Sequence, residues 1–470
     1  MMLEKIHFYY TNDLHSHFDN WSRVATYMKM KRLESKERGE SSWVVDIGDY
    51  IDRVHPISEA TMGKGNIELM NELGYDFATI GNNEGITLAH NDLYHLYDDA
   101  KFSVIVSNLQ CLTSENPRWL HQHKIVRSKH GINVGIIALS TQFNTYYNLL
   151  GWHLHPTFET LQQQLHILRD KTDVIVLLSH LGIHEDQRIA EHFPEIDVII
   201  GGHTHHLIRN GEVVGNTLLT AAGKHCDYVG EVTITFDHDT KQIVNKEAST
   251  TKIEGLHRDL RTEQRITELT AEADFILSKR IIEVDKPIKV NWFQETNIMK
   301  QFTEQLRIWT KADIAFLNAG LIIDEFPAGE ITYRDVHRNC PHPINPCVIK
   351  LRGKELKEVI EIVLSKSFME MKLKGFGFRG EVLGRMVFAG IDVLTSLQDD
   401  GTETINQIIY QNEELKDDEM YRVVTADMFT FGHLLPAVAL AEEKELFLPE
   451  FLREVLVYTL IHYEPNLKVK

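Results

Sequence analysis

The stretch IHFYYTNDLHSH, residues 6–17, sets the reading of the whole chain. From Ile6 to Thr11 it is β-branched and aromatic, the composition of a strand. Directly past the strand stand a carboxylate and an imidazole two residues apart, Asp13 and His15. The same arrangement recurs downstream. SWVVDIGDYI (42–51) ends at Asp49, ATIGNNEGIT (78–87) at Asn82, DVIVLLSHLG (173–182) at His180, and DVIIGGHTHH (197–206) at His203 and His205. FSVIVSNL (102–109) and VGIIAL (134–139) add strands, and NIELMNELG (66–74) and TFETLQQQLHILRDK (157–171) read as helices between them. Strands alternating with helices predict an α/β layer architecture whose site lies in the loops at the strand C-termini.

Further along, GNTLLTAAG (215–223) and YVGEVTITFD (228–237) lack an intervening helix and are expected to form an antiparallel second sheet. DLRTEQRITELTAEADFILSKRI (259–281) places Ile266, Leu269, Ala273 and Ile276 on one helical face, a connecting helix. Beyond it, helices such as LKEVIEIVLSK (356–366) mix with strands such as GRMVFAGIDVL (384–394) and YRVVTADMF (421–429), which predicts a separate α+β domain. A chain of 470 residues also exceeds the roughly 250–300 at which a single core stops growing. The expected division is residues 1–255, a linking segment 256–286, and residues 287–470.

A formal charge of −19 disfavours the basic footprint of nucleic-acid or anionic-membrane binding, and no run approaches the roughly 20 apolar residues of a membrane span. Small phosphorylated molecules remain as partners; oligomeric state is left open. Cys111, Cys226, Cys340 and Cys347 include no C-x-x-C pair and are too sparse for a disulfide framework, so reduced thiols are expected. The first fifteen residues, MMLEKIHFYYTNDLH, lack the apolar stretch of a secretory signal, and a cytoplasmic location is the expectation.

Two carboxylates, one carboxamide and four imidazoles at matched strand ends form a mixed N/O ligand set that suits Mn, Fe or Zn. Their order, D-x-H, G-D, G-N, H and G-H-x-H, resembles the calcineurin-like metallophosphatases, and the chain as a whole resembles the bacterial 5'-nucleotidase and UDP-sugar hydrolase type. The resemblance implies a four-layer αββα metallophosphatase sandwich followed by a substrate-binding domain, with substrate between them and a linking helix that permits rotation. It implies two divalent metal ions: Asp13, His15, Asp49 and His205 on one, and Asp49 as the bridge, Asn82, His180 and His203 on the other. Two such ions activate a shared water and clamp phosphoryl oxygens for in-line attack. The substrate class implied is a nucleotide or nucleotide sugar, cleaved at an ester or anhydride bond. Two alternatives stay open: 2',3'-cyclic-nucleotide phosphodiesterase activity, and a metal-retaining nucleotide-binding protein with weak catalysis.

The sequence departs from the family at two places. The usual Gly-Asn-His-Glu-Phe-Asp carries a His, oriented by the Asp, that helps neutralise charge or protonate the leaving group; here those positions are Asn83 and Ile86. Asn83 and Asp49 are therefore the catalytic positions to examine, with His55, His184 and His225 as spare imidazoles. In AFLNAGLIIDEFPAGEITYRDV (315–336), which resembles the substrate-meeting Asn-Gly-Gly-Gly-Ile-Arg run, Asn318 and Gly320 remain, whereas Ala319, Leu321 and Ile323 replace two glycines and the arginine. Arg338, Arg352, Arg379 and Arg385 are the guanidinium groups available to replace it. Family members sandwich the base between two aromatic rings, which assigns substrate roles to Phe378 in GFGFRGE (375–381) and to Asp427, Phe429 and Phe431 in ADMFTFG (426–432).

Overall fold

The computed structural model describes residues 2–397, 403–432 and 434–465. The chain divides into two compact units, Met1–Ala273 and Asp274–Lys470.

The first unit is built on two sheets. In one, the order is Gln242–Lys252, Tyr228–Asp237, Leu3–Thr11, Ser41–Asp46, Phe77–Ala78, Ser103–Ile105 and Leu120–His121. In the other it is Leu207–Val214, Thr217–Ala222, Val198–Gly201, Val174–His180, Asn133–Ser140 and His123–Arg127. Strand periodicity of two decides which residues face which layer. Ile6, Phe8, Tyr10, Val45 and Ile47 of the first sheet meet Ile136, Val176, Leu178, Val198 and Ile200 of the second in one core. The alternate residues Ile137, Ile175, Leu177 and Ile199 turn outward onto Leu161, Leu165 and Ile189 of the helices Thr157–Leu168 and Ile183–His192. On the other side the helix Trp21–Arg38 packs against Leu3–Thr11 and Ser41–Asp46, burying Trp21, Val24 and Met28 completely. The result is the expected αββα order. Strands buried on both faces explain the near-continuous apolar runs of the sequence, and each such aliphatic side chain contributes about 1.5–3 kcal/mol by leaving water.

One expectation is corrected. Thr217–Ala222 and Tyr228–Asp237 do not share a sheet: the former runs parallel to Val198–Gly201, and the latter pairs antiparallel with Leu3–Thr11. Both strands bury residues in the same inter-sheet core, Leu218 and Ala222 from one side and Val232, Ile234 and Phe236 from the other. Local pattern therefore could not say to which sheet each belongs.

The connecting helix spans Leu260–Leu277. Its buried line is Thr262, Leu269, Ala273 and Leu277, whereas Ile276 is 46% exposed, so Leu277 takes the place expected of Ile276. The second unit holds a mixed five-stranded sheet, in the order Met386–Ala389, Ile314–Asn318, Met420–Ala426, Pro346–Arg352 and Lys444–Leu446, with helices Asn297–Thr310, Gly353–Val363 and Leu452–Ile461. It is the α+β unit read from the sequence. All four cysteines are free and buried, and no helix among the described residues is long and apolar enough to cross a membrane.

Candidate metal centre

The site is made by loops that prolong a parallel strand pair. Past the ends of Leu3–Thr11 and Ser41–Asp46 the two chains stay side by side: Asp13 N–H donates to Gly48 O (3.1 Å), His15 N–H to Asp49 O (2.9 Å) and Ser16 N–H to Tyr50 O (3.0 Å). Turning the side chains inward forces left-handed backbone at Asp13 (φ 51°), His15 (49°), Asp49 (51°), His203 (70°) and His205 (57°). Such conformations are uncommon outside glycine and cluster where surrounding structure over-determines them. Glu84 is part of that surround. It is fully buried in the helix Asn82–Thr87, and its carboxylate accepts from the backbone N–H groups of Asp49 (3.0 Å), Gly81 (2.8 Å) and Ile51 (2.8 Å), tying the Asp49 loop to the Asn82 loop.

Two ligand groups result, Asp13 with His15 and His205, and Asp49 with His180 and His203; within each, the candidate atoms lie within 4.8 Å of one another. His180 donates its Nδ1–H to Ile47 O (2.8 Å), which leaves the Nε2 lone pair facing the site. That Nε2 and Asn82 Oδ1 are buried without a hydrogen-bond partner, and Asp49 lies 3.4 Å from Nε2. Leaving a buried acceptor unpaired costs about 1–3 kcal/mol. Two such atoms left without a partner, one of them beside a carboxylate, fit a cation. Asp49 also accepts from Asn83 N–H (2.7 Å), and Asp13 from Asn12 Nδ2 (2.7 Å) and His203 N–H (3.0 Å).

The charges are strongly coupled. Burial alone would push Asp49 up, but His180 and His15 outweigh it and hold the carboxyl well below its ordinary range. Burial opposes an imidazolium at His180, yet the negative charge of Asp49, Asp13 and Glu84 raises that ring's pKa, the same field that would hold a cation at Nε2. Burial and the adjacent His180 bring His203 down to about 4, a neutral ring suited to ligation.

The structure brings Asp13, His15, Asp49, His180, His203 and His205 together, and Asn82 follows Gly81, whose added Cβ would lie 2.6 Å from His180 Nε2. Asn83 sits among them, but its amide is engaged: Nδ2 lies 3.0 Å from His15 Nδ1 and 3.1 Å from Ile51 O. Of the spare imidazoles, His55 accepts from Ile57 N–H as a helix cap, His184 is exposed, and His225 stacks on His17 with ring centroids 3.6 Å apart and lies 6.0 Å from the His15 ring. Glu84 and Asn12 were given no role from sequence. The signal for Glu84 was present, an acid at the third position of a helix opened by Gly81.

In the second unit the substrate assignments change. Phe378 (2% exposed) and Phe429 (0%) are core residues, Phe378 stacking on His342 with centroids 5.1 Å apart and planes 14° from parallel. Neither offers a face to a base. Phe376, by contrast, is 49% exposed, and its ring lies near that of Phe431, with centroids 6.1 Å apart and planes 7° from parallel. Asp427 is buried, and so is Asn318, whose Nδ2 donates to Leu383 O (2.8 Å). Gly320 packs so closely that a Cβ there would lie 2.0 Å from Val382 O. These residues brace the loop rather than line a surface. Arg385 makes a bidentate pair with Glu403, and Arg338 lies 3.3 Å from Asp335, so neither stands as a spare anion clamp.

Comparison with known proteins agrees with this geometry. Residues 6–207 match the calcineurin-like phosphoesterase family and residues 279–434 the 5'-nucleotidase C-terminal domain. The uncharacterized metallophosphoesterase YunD of Bacillus subtilis is 42% identical over 98% of this chain and 100% of its own length. A 5'-nucleotidase of Vibrio cholerae is 22% identical over 77% of this chain and 76% of its own. Among solved structures, Haemophilus influenzae NAD nucleotidase (NadN) superposes with a TM-score of 0.66 at 16% identity, over 98% of this chain and 96% of that one. A 5'-nucleotidase precursor of Thermus thermophilus gives 0.60 at 20% identity, over 97% and 96%. The chain thus belongs to the metallophosphoesterases of the 5'-nucleotidase family, hydrolases of phosphoester bonds in which a calcineurin-like phosphoesterase domain precedes a 5'-nucleotidase C-terminal domain.

Proposed function

We propose that the chain hydrolyses nucleotides and favours phosphate anhydrides, such as nucleoside diphosphates or nucleotide sugars, over nucleoside monophosphates. Asp13, His15, Asp49 and His205 would hold one divalent cation, and Asp49, Asn82, His180 and His203 the other. Bound there, the pair supplies Lewis-acid polarisation of the phosphoryl group and an activated water. The chain's own residues orient this chemistry: the Ile47 carbonyl fixes the His180 tautomer, and Asn83 N–H fixes one Asp49 oxygen. Phe376 and Phe431 are the base clamp. A flat ring sandwiched at van der Waals distance needs roughly 7 Å between its neighbours, so these near-parallel rings, with centroids 6.1 Å apart, would part by about 1 Å to admit a base.

The observation that carries the leaving-group preference is Asn83. An amide donates a hydrogen bond but delivers no proton, and this one is held by His15 and Ile51. A nucleoside 5'-alkoxide needs a proton to depart, whereas a phosphate or phosphosugar leaves as a stabilised anion. General-acid help is worth about 10²–10⁴-fold, enough to reorder substrates. The four buried free thiols suit a reducing compartment, consistent with a cytoplasmic enzyme.

The test is steady-state hydrolysis of AMP, ADP, UDP-glucose and 2',3'-cyclic AMP with Mn²⁺, against chelator and Asp49→Asn controls. Chelator-sensitive cleavage favouring ADP and UDP-glucose, lost in Asp49→Asn and shifted towards AMP by Asn83→His, is expected. A preference for AMP in the native chain refutes the leaving-group reading. Release of a 3'-nucleotide from the cyclic substrate supports the phosphodiesterase alternative, and silence across the panel with several metals supports the binding protein.

A further inference from the structure

We propose that Asn83 is a positioning residue that sets His15 in its non-ligating tautomer, making the Asp13/His15/His205 group the weaker of the two cation sites. The inference rests on the two-cation reading above. The Ile51 carbonyl can only accept, which assigns the nitrogen of the Asn83 amide to that side, at 3.1 Å. The same Nδ2 lies 3.0 Å from His15 Nδ1, so its second hydrogen points at that nitrogen and Nδ1 must accept. In a neutral imidazole the proton then resides on Nε2, and His15 Nε2 lies 3.0 Å from His205 Nε2. The three side chains form one hydrogen-bonded chain: Asn83 Nδ2–H to His15 Nδ1, and His15 Nε2–H to His205 Nε2.

A cation shared by Asp13, His15 and His205 needs the lone pair of both Nε2 atoms. The His15 proton must then move to Nδ1, where it meets the Asn83 amino group, donor against donor. Relief requires a half-turn of the Asn83 amide, so that Oδ1 accepts from Nδ1–H. That turn gives up the bond to Ile51 O and opposes Asn82 Nδ2, which now donates to Asn83 Oδ1 (3.3 Å). The other acceptor near His15 Nδ1 is the Asp52 carboxylate, 3.8 Å away and out of bonding distance. His180 differs in kind. Its Nδ1–H already donates to a carbonyl, so His180 needs no change of tautomer to ligate through Nε2. Partners that orient a ligating histidine typically change metal affinity by about 10–100-fold, and that is the expected gap between the two sites.

The test is calorimetric titration of the full chain, stripped of metal by chelator, with Zn²⁺. Native protein should bind two equivalents in unequal steps. In Asn83→Asp the side chain only accepts, takes the His15 Nδ1–H directly and retains the backbone bond to Asp49; the weaker step should tighten by about 10–100-fold while the tighter one stays in place. Independently of that variant, ¹⁵N spectra of the imidazoles, with the His15 signal identified by its loss in His15→Gln, should show an Nε2–H tautomer that converts to Nδ1–H at the second equivalent. Two equal steps in the native protein, an unchanged weak step in Asn83→Asp, or a His15 that carries Nδ1–H before Zn²⁺ is added would each overturn the proposal while leaving two cations in place. Fewer than two equivalents at saturation would instead overturn the two-cation reading on which it rests.

Discussion

Gly81 gives the sharpest test of the site's geometry. Its backbone is extended (φ −97°, ψ −168°), a conformation alanine adopts freely, so Gly81→Ala introduces no backbone strain and its effect is purely steric. The added methyl would lie 2.1 Å from Asp49 Oδ1 and 2.6 Å from both His180 Nε2 and Asp49 N. Against an ordinary contact of about 3.5 Å, the shortfalls are roughly 1.4 and 0.9 Å. Asp49 and His180 must therefore move by about an ångström, and overpacking of this kind costs about 1–3 kcal/mol, which a domain survives. A displacement of that size at reacting groups costs on the order of 10²-fold in rate. The expected result is a folded protein, with a modest loss in denaturant midpoint, that retains at most one equivalent of Mn²⁺ after gel filtration and loses about two orders of magnitude in turnover. Gly255→Ala, with no atom within 4 Å of the new methyl, is the control and should match the native protein. If Gly81→Ala keeps two equivalents and native turnover, the convergence of Asp49 and His180 on a common cation is wrong.

In the second unit, Phe376→Ala and Phe431→Ala should each raise KM for nucleotides by the loss of a stacking contact worth about 1–3 kcal/mol, with the unfolding midpoint nearly unchanged. Phe378→Ala should do the reverse, destabilising the unit by about 3–5 kcal/mol as a core truncation, which urea unfolding would report. His342 predicts a pH dependence: burial, against the help of its bond to Leu321 O, holds its pKa down to about 3. The unfolded chain takes up that proton below about 6.5 while the folded one refuses it. Stability is therefore full above pH 6.5 and falls as pH drops towards 3, by about 2 kcal/mol at pH 5. Urea midpoints at pH 7.5 and 5.0 should show that loss in the native chain and a smaller one in His342→Gln, whose amide can donate to Leu321 O and accept from Arg379 N–H.

The candidate ligand set was legible because its seven members stand at or past the ends of only five apolar strands, and parallel strands in one layer deliver their C-termini to one edge. Asp13 and Asp49 come from neighbouring strands of one sheet, and His180 and His203 from neighbouring strands of the other. The proposed aromatic clamp was not legible for the opposite reason. Phe376 and Phe378 lie two apart in a loop of glycines, and nothing local distinguishes the exposed ring from the buried one. The choice is made by His342, which stacks on Phe378 and accepts Arg379 N–H (3.0 Å), pinning that end of the loop and leaving Phe376 outside. Sheet membership of Thr217–Ala222 and Tyr228–Asp237 failed similarly, since both faces of one core call for the same residues.

The buried acids around the centre divide by what they bond, and the division accounts for the charge the site presents. Asp46 accepts from Thr11 Oγ1 (2.6 Å) and Gly48 N–H (2.9 Å), and Glu84 from three backbone amides; both shape the loops and neither belongs to a ligand group. Burial raises both, Asp46 well above the carboxylate range and Glu84 to about 7, where the nearby Asp49 charge adds to the effect. Asp13 and Asp49 are buried as deeply, yet the surrounding imidazoles keep both below their ordinary values. Each ligand group thus contains one carboxylate held in its charged form, and the acids that would add further negative charge are driven towards neutrality. Were Asp46 and Glu84 ionised as readily as Asp13 and Asp49, four charges would crowd one buried site, and the left-handed loops holding the ligands would carry repulsion in addition to strain. Environment, not residue type, separates the acids that present charge from the acids that hold the loops in shape.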